Sequence, residues 1–442
     1  MTNAVNTLAA FSVLSDVGEY DFVLLESPPN LSFLMARKID FLLNQTVVSF
    51  LYSKKYMIGE SHLSWSYLYV VQHWSILMKR IISHFAVSAG VLSFGAAIIL
   101  AAPAKAVDFS GKKIQLIVPF KEGGGGDRYG RLWRPFLQKH LPGNPRVLVV
   151  NKPGGGSIRG NNWFEANAKN DGSMAMIGST STFTSFVFGG KKVKYNMINW
   201  RAVITSPLGT QFYARADTGM TGKDIVADIK ALRGKQLFAA GKTPTSAELR
   251  QFLLYDLFGL NVKPVFGLSS GKRRKATLRG EIHLTYDSTG AFVKKAQKYV
   301  KKGTVVHYMT FGIVGPGNKI IRDPAFPNLP TAWEVYKMLY GKELSGKPDT
   351  ALRHILNMGT MASKALLLPK GTSDAVYNAY LDAVKKSLKD KKFQKIAEKE
   401  IGSYPQALGK EAESVIKNAV DIHPSTKKWL TNWIKNKFNV SL

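Results

Sequence analysis

The residues of this sequence whose type and spacing indicate ligand chemistry begin with four consecutive glycines. This first glycine corner, residues 123–126, follows an apolar run from Ile114 to Phe120 and precedes a helical pattern. Glycine admits positive φ and lets a ligand approach the backbone closely. A glycine turn at a helix N-terminus also presents unpaired N–H groups and the positive end of the helix dipole. The pattern predicts an anion site, and a tight turn without a ligand is the alternative.

Two further corners follow predicted strands in the same part of the chain. The second glycine corner, residues 151–157, comes after a strand at 146–150, and the hydroxyl corner, residues 179–182, comes after a strand at 174–178. In an open parallel sheet such corners gather at the carboxyl edge of the strands, where ligands bind. We expect the glycine N–H groups to hold a carboxylate without a buried arginine. Hydroxyls of Ser179, Thr180, Thr243 and Thr245 then bind its second end.

Alternating strands and helices are expected to position these corners. The apolar periodicity predicts strands at 114–120, 146–150, 174–178, 236–240, 262–266, 282–286, 305–309 and 364–368, with helices at 127–140, 222–232, 247–258, 272–279 and 373–389. Asp127 and Ser246 are predicted helix N-caps. A turn-rich crossing near residues 206–214 indicates passage into a second domain. Trp133, Trp163 and Trp333 are expected in the core, and His283, His307 and His354 are expected to be structural.

Composition restricts the class of protein. The chain has 442 residues, enough for two or three domains, and its 45% hydrophobic content is that of a globular protein. The absence of cysteine excludes disulfides and thiolate metal sites. A net charge of +31 permits nucleic acid, anionic membranes and small anions as partners. The lysines are scattered, with residues 272–275 as their tightest cluster, which indicates a solvated basic surface.

A secretory signal peptide is predicted at residues 78–106. Met78, Lys79 and Arg80 form a basic start, an apolar segment follows to Leu100, and small residues offer cleavage patterns before Val107. We therefore expect translation to start at Met78, residues 1–77 to be a gene-model extension, and the exported protein to begin near Val107. The competing interpretation is an internal transmembrane helix after a small domain.

Several strings resemble one family, the periplasmic substrate-binding proteins of tripartite tricarboxylate transporters, also called Bug-type receptors. Val118-Pro119-Phe120, Gly123-Gly124, Asp127 and Arg131 have the spacing of its opening motif, and Asn151-Lys152-Pro153-Gly154 with Gly156 and Gly160 resembles its second glycine motif. Asp171-Gly172, residues 280–287, 326–330 and 368–372 are similar to later landmarks of the family. The resemblance covers nearly all of residues 107–442.

The resemblance implies an α/β fold with two lobes, a type II periplasmic-binding-protein clamshell. It divides the chain into residues 107–210 of the first lobe, 211–310 of the second, and 311–442 returning to the first with C-terminal helices. It implies a monomeric periplasmic receptor that needs no cofactor and delivers a small carboxylate to integral-membrane transporter subunits. With the corners above, the expected ligand-binding residues are Phe120, Gly123, Gly124, Gly125, Asp127, Gly155, Gly156, Ser157, Ser179, Thr180, Ser181, Thr243, Thr245 and Asp287.

Other interpretations remain open for particular residues and for the whole chain. Asp127 is either a helix cap or a ligand contact, and Asp287 either accepts from the ligand or braces its loop. Gly154, Gly156 and Gly160 form a G-x-G-x-x-x-G string that also suggests a nucleotide-dependent enzyme, although Asn151 to Pro153 separate it from the strand. The positive charge suggests a nucleic-acid-binding protein. No acid–base pair or metal cluster is recognisable, so we expect no catalysis, and a receptor of this kind does not bind nucleic acid.

Overall fold

The computed structural model describes residues 107–442, and the predictions for the signal peptide and for residues 1–77 lie outside this range. Its strands are β1 (Lys113–Val118), β2 (Arg146–Asn151), β3 (Met174–Ser179), β4 (Arg201–Ser206), β5 (Thr210–Arg215), β6 (Leu237–Ala240), β7 (Val262–Val265), β8 (Leu284–Ser288), β9 (Val305–Thr310), β10 (Ile313–Val314), β11 (Ile320–Ile321), β12 (Lys364–Leu368) and β13 (Ala407–Leu408). Its α-helices are α1 (Gly125–His140), α2 (Ile158–Asn167), α3 (Thr180–Phe188), α4 (Ile225–Leu232), α5 (Leu249–Leu257), α6 (Ser270–Arg279), α7 (Thr289–Lys295), α8 (Gln297–Lys301), α9 (Ala332–Tyr340), α10 (Gly346–Leu356), α11 (Asp374–Lys389), α12 (Lys391–Ile401), α13 (Lys410–Val420) and α14 (Pro424–Phe438). Within residues 107–442, no helix is both long and apolar enough to cross a membrane.

Two sheets define two lobes. The sheet of the first lobe has six strands in the order β13-β4-β12-β3-β1-β2, and the sheet of the second lobe has five in the order β7-β6-β8-β5-β9. The chain leaves the first sheet after β4, builds the second from β5 to β9, and returns with β12 and β13. The predicted α/β fold class with two lobes is confirmed.

The first sheet is mixed rather than wholly parallel. β1 is parallel to β2 and β3, as predicted, but β12 is antiparallel to β3 and β4. The parallel arrangement expected for the strands before the three corners is thus confirmed, and the returning strand makes the sheet mixed. Its reversed direction has a consequence for the site, because the first residue of β12, Lys364, lies at the edge where β3 ends and pairs in register with Ser179.

Residues of β1 alternate between two hydrophobic cores. Leu116 and Val118 pack with Trp133 of α1 on one face of the sheet, whereas Ile117 enters a core that continues into the second lobe. All four side chains are fully buried. A strand covered on both faces needs apolar residues at every position, which explains the continuous apolar run of β1. Trp333 is also buried as expected, but Trp163 is only partly buried.

Two predicted helix caps were wrong. Helix α1 begins at Gly125 with Gly124 as its N-cap, so Asp127 is the third residue of the helix and not its cap. Helix α5 begins at Leu249 with Glu248 at the N-cap position. Residues 247–248 form a turn instead of the start of the predicted helix, and the Ser246 hydroxyl accepts from Thr243 N and donates to the Glu248 carboxylate.

Candidate ligand-binding site

A cleft of about 420 Å³ lies between the lobes and is lined by residues of both. Twelve of the fourteen residues expected at the ligand line it, and Asp127 and Thr245 do not. Asp127 is buried behind the first glycine corner. Thr245 is also buried, and its carbonyl accepts from Ser185 Oγ. The three corners thus meet at one edge of the first sheet, facing the second lobe.

Asp127 holds the first glycine corner in shape. Its carboxylate accepts from Gly123 N at 2.9 Å, from Asn151 Nδ2 at 3.1 Å and from Arg131 Nε at 2.9 Å. Burial opposes ionisation, but the hydrogen bonds from Arg131, Gly123 and Asn151 outweigh it and lower the pKa of Asp127. The carboxylate is therefore ionised and engaged with protein groups, which favours the bracing interpretation over ligand contact.

The same corner requires glycine where the helix begins. A Cβ at Gly126 would lie 2.6 Å from Cδ2 of Phe120, whereas a Cβ at Gly125 would meet only Lys364 Cε at 3.7 Å. The first N–H groups of a helix have no intrahelical partner. Those of the first turn of α1 therefore lie at the cleft beside the Lys364 side chain, where an anion is favoured by the helix dipole.

The second glycine corner has an unusual backbone. Gly154, Gly155, Gly156 and Ser157 all have positive φ, at 140°, 57°, 71° and 115°. Glycine tolerates this region, but Ser157 is strained there. The Ser157 side chain is buried and accepts from Asn161 Nδ2 at 3.2 Å. Gly156 faces the second lobe, since a Cβ there would lie 2.7 Å from Thr243 Oγ1.

The hydroxyl corner connects the two lobes. Ser179 N donates to Thr182 Oγ1 at 3.2 Å at the start of α3, and Ser181 Oγ accepts from Ala247 N of the second lobe at 3.1 Å. Ser179 Oγ accepts from Lys364 Nζ at 3.1 Å. Thr180 Oγ1 donates to Gly359 O at 3.4 Å. Ser181 is therefore occupied by an interlobe contact, whereas Ser179 lies beside a buried cation.

Positive charge dominates the lining of the cleft. Nine basic residues line it, against the two acidic residues Glu122 and Asp287. The basic residues are Lys121, Arg128, Lys242, Arg250, Lys272, Arg273, Arg274, Lys295 and Lys364. Four of the nine form ion pairs, namely Arg128, Lys242, Arg273 and Arg274. The cleft therefore has excess positive charge available for an anion.

A network of ion pairs forms the wall contributed by the second lobe. Glu248 Oε1 lies 2.6 Å from Lys242 Nζ and 2.8 Å from Arg273 Nη1. Arg274 forms two hydrogen bonds with Asp287, at 2.6 and 2.7 Å, and the Tyr213 hydroxyl donates to the same carboxylate at 2.8 Å. Both Asp287 oxygens are thus engaged by protein groups. Of the two interpretations of Asp287, the geometry favours the one in which it braces its loop.

Arg250 and Lys364 are buried cations that have no carboxylate partner within residues 107–442. Arg250 is 3% exposed and donates only to neutral acceptors: Ala247 O at 3.0 Å, Thr210 Oγ1 at 2.5 Å and Gly359 O at 3.3 Å. Lys364 is 8% exposed and donates to Ser179 Oγ and to Ser363 O at 3.0 Å. Burial, followed by the nearby cations Arg250, Arg128 and Lys242, lowers the pKa of Lys364 to about 7.

Sequence reasoning missed this part of the site. Carboxylate binding by the glycine corners alone was expected, and the structure adds the buried Arg250 to the lining of the cleft. The cluster at residues 272–275, which was grouped with the solvated lysines, contributes the buried Arg273 and Arg274. Lys364 could have been noticed as a charged first residue of a strand that is otherwise fully apolar. Arg250 carries no comparable signal, since a charged residue near a helix start is ordinary.

Comparisons with known proteins agree with this architecture. No family model matches the chain. A UPF0065 protein of Bordetella pertussis is 26% identical over 285 residues, which cover 64% of this chain and 78% of that protein. Among solved structures, the periplasmic binding protein BugD has a TM-score of 0.53 at 18% identity, with 73% of this chain and 98% of that chain covered.

Two structures from Rhodopseudomonas palustris have the same fold and contain ligands. MatC, solved with bound malate, has a TM-score of 0.53 at 18% identity and covers 74% of this chain and all of its own. A second protein, solved with adipate, has a TM-score of 0.55 at 17% identity and covers 76% of this chain and 99% of its own. The fold is thus that of the two-lobed periplasmic binding proteins. The resemblance of this chain to the Bug-type receptors is confirmed, and BugD is itself a periplasmic binding protein.

Proposed function

We propose that this protein is a periplasmic receptor that captures a small carboxylate between its lobes. It acts as a monomer and delivers the ligand to the integral-membrane subunits of a tripartite tricarboxylate-type transporter. The observation that carries the proposal is the cleft itself, where glycine corners and the first turn of α1 face two buried cations without a carboxylate partner in the described part of the chain. The relatives bound to malate and to adipate support a carboxylate as the ligand.

Binding proceeds by closure of the lobes. A carboxylate docks on the first-lobe corners, and the loop that contains Thr243 closes over it. Thr243 Oγ1 is buried and makes no hydrogen bond within the described part of the chain, so it has a free donor for the ligand. The Ala247 N to Ser181 Oγ hydrogen bond fixes the distance between the lobes beside the cleft. The closed surface is what the membrane subunits recognise.

A thermal-shift screen of dicarboxylates, tricarboxylates, aromatic acids and acidic amino acids tests the proposal. A ligand that binds only the native state stabilises it by about 2.7 kcal/mol at a hundredfold excess over Kd. We expect at least one carboxylate to raise the melting temperature, with saturable binding in calorimetry. Duplex DNA in the same screen tests the nucleic-acid alternative, whose affinity must fall steeply with salt. Absence of any carboxylate binding contradicts the proposal, and consumption of a bound carboxylate identifies an enzyme.

Gly125→Val tests whether the first glycine corner contacts the ligand. The Gly125 Cβ direction is open except for Lys364 Cε, so valine fills the space beside that lysine without a clash in the protein. We expect the affinity for the carboxylate found in the screen to fall by about tenfold or more, with the unfolding free energy changed by about 1 kcal/mol or less. Calorimetry and urea unfolding measure the two quantities. Unchanged affinity in the folded variant removes this corner from the site.

A further inference from the structure

The balance of charge in the cleft also indicates how many negative charges the ligand carries. Three cations, Lys242, Arg273 and Arg274, share two carboxylates, Glu248 and Asp287. Arg250 and Lys364 add two positive charges with no carboxylate partner among the described residues. These five cations exceed the two carboxylates by three. A ligand with a single negative charge compensates only part of this excess.

Arg250 and Lys364 approach the same point from different lobes. Arg250 is the second residue of α5 in the second lobe, and Lys364 is the first residue of β12 in the first lobe. Both contact the segment around the hydroxyl corner. Arg250 Nη1 and Thr180 Oγ1 donate to the same Gly359 carbonyl, and Lys364 Nζ and Thr180 N donate to the Ser363 carbonyl. An anionic group placed against Ser179 and Thr180 is therefore within reach of both cations.

A purely structural role does not account for this pair. Burying a cation costs several kcal/mol unless a counter-charge compensates it, and neutral carbonyl and hydroxyl acceptors compensate only in part. The neighbouring cations Lys242, Arg273 and Arg274 do have carboxylates, so the site supplies counter-charges elsewhere. Two buried cations that face a cleft without one indicate that the ligand provides the missing charge.

We propose that Arg250 and Lys364 form a charge-selecting pair that receives one anionic group of the ligand from opposite lobes, and that the ligand carries a second negative charge, which compensates part of the remaining positive charge of the cleft. This assignment rests on the proposed function as a carboxylate receptor. It states that two charged side chains bind the ligand directly, in addition to backbone N–H groups. Arg250 already contacts the Gly359 carbonyl of the first lobe, and the anion adds an ionic contact between the lobes at the same place.

The test compares dicarboxylates with their own monoamides. Succinate, glutarate and adipate are each paired with succinamate, glutaramate and adipamate, which retain length and polarity but lose one charge. Calorimetry on the full exported chain at pH 6.5 gives the dissociation constants. We expect the dicarboxylate of the best-fitting length to bind about tenfold to a hundredfold more tightly than its monoamide, since one hydrogen-bonded ionic contact is lost.

Substitutions test whether the preference for a dicarboxylate over its monoamide depends on Arg250 and Lys364. Arg250→Met and Lys364→Met are expected to reduce the preference for the dicarboxylate to about threefold or less, whereas the exposed Arg134→Met and Lys386→Met, as matched controls, leave it unchanged. Arg250→Lys retains the charge and preserves part of the preference, which separates loss of charge from damage to the fold. The comparison of dicarboxylates with monoamides uses the unsubstituted protein, so its result does not depend on whether a variant folds.

The outcomes distinguish failure of this assignment from failure of the proposed function. Equal binding of a dicarboxylate and its monoamide overturns the charge-selecting pair but leaves a carboxylate receptor. An undiminished preference in both methionine variants also overturns it, because the selectivity then arises elsewhere. If no carboxylate binds at all, the proposed function fails as well.

Discussion

The two walls of the cleft are built by different means. The first lobe contributes glycine corners, where backbone N–H groups face the cleft and side chains such as Asp127 brace the turn from behind. The second lobe contributes a network of ion pairs, in which Glu248 and Asp287 hold lysine and arginine side chains in place. Backbone N–H groups carry little charge, but the main chain fixes their positions. The cations of the ion pairs carry full charge, but their positions depend on the carboxylates that hold them.

The difference has a consequence for stability and for specificity. A backbone corner loses little when one side chain behind it is changed, since its donors belong to the main chain. A buried carboxylate that holds two cations leaves both uncompensated when it is removed, and the cost is large. We therefore expect the second-lobe wall to be the more sensitive to substitution.

Glu248→Gln is expected to have the largest effect on stability. Burial opposes ionisation of Glu248, but Lys242 and Arg273 outweigh it and hold its pKa far below the usual range. The neutral amide leaves Lys242 without a counter-charge and leaves Arg273 with Asp287 alone, at 4.0 Å, and we expect the unfolding free energy to fall by about 3–5 kcal/mol. Urea unfolding of the full chain measures this change.

The control for this prediction is Glu281→Gln. Glu281 pairs with Arg279, but both side chains are more than half exposed, at 55% and 59%. Solvent screens such a pair, so no measurable change in the unfolding midpoint is expected. Equal effects of the two substitutions would show that the buried network has no special role in the second-lobe wall.

The same contrast explains how much of the site could be predicted from the sequence. The first-lobe wall is encoded in short contiguous strings, and ten of the eleven residues expected in that lobe line the cleft. The ion pairs join residues far apart in sequence, such as Glu248 and Arg273, which are 25 positions apart. Whether Arg250 and Lys364 face the cleft depends on the orientation of a helix and of a returning strand in the fold. Residue spacing in the sequence does not contain that information.

The fold shows the same division between local and long-range information. The strand Lys364–Leu368 was predicted with the bounds that the structure has, because five buried residues between turns give a clear local signal. Its antiparallel direction was not predicted, because pairing with Ser179 and Ser206 depends on the route of the chain through the second lobe. The caps at Asp127 and Ser246 were wrong because their side chains bind groups other than the first helical N–H groups.

We expect Lys364 to make the binding of anions dependent on pH. Its pKa of about 7 is set by burial and by the cations Arg250, Arg128 and Lys242, and it lies below the ordinary lysine value of 10.5. Because the folded-state pKa is lowered, the unfolded chain binds more protons between these values, and the contribution of Lys364 to stability rises with pH in this window. The lysine has to be protonated to bind an anion, so we expect affinity to fall by up to about tenfold per pH unit from about pH 7 to 9.

Calorimetry with a dicarboxylate checks this dependence, since both carboxylates remain ionised over the window and only the protein titrates. The Lys364→Met variant binds more weakly and is expected to show a flat profile between about pH 7 and 9. A profile that falls equally in the variant and in the unsubstituted protein would assign the titration to another group. In buffers of different ionisation enthalpy, proton uptake on binding is expected only when Lys364 is present.

Glu400→Gln is expected to have the smallest effect, because its ion pairs lie at the solvated rim of the cleft. Glu400 in α12 pairs with Arg128 of α1 at 3.1 Å and with Lys294 of α7, so it joins the first lobe to the second. All three side chains are partly exposed, and such pairs contribute about 1 kcal/mol or less. Arg128 also donates to Gly123 O at 2.9 Å, so its release loosens the first glycine corner without removing it.

We expect the Glu400→Gln substitution to lower the dicarboxylate affinity by about fivefold or less. The difference from the unsubstituted protein is expected to vanish near 1 M salt, where charges separated by more than about 3 Å are screened. A loss as large as that of Arg250→Met, or one that persists at high salt, would place this rim pair among the groups that bind the ligand and remove the distinction between the buried and the solvated cations of the cleft.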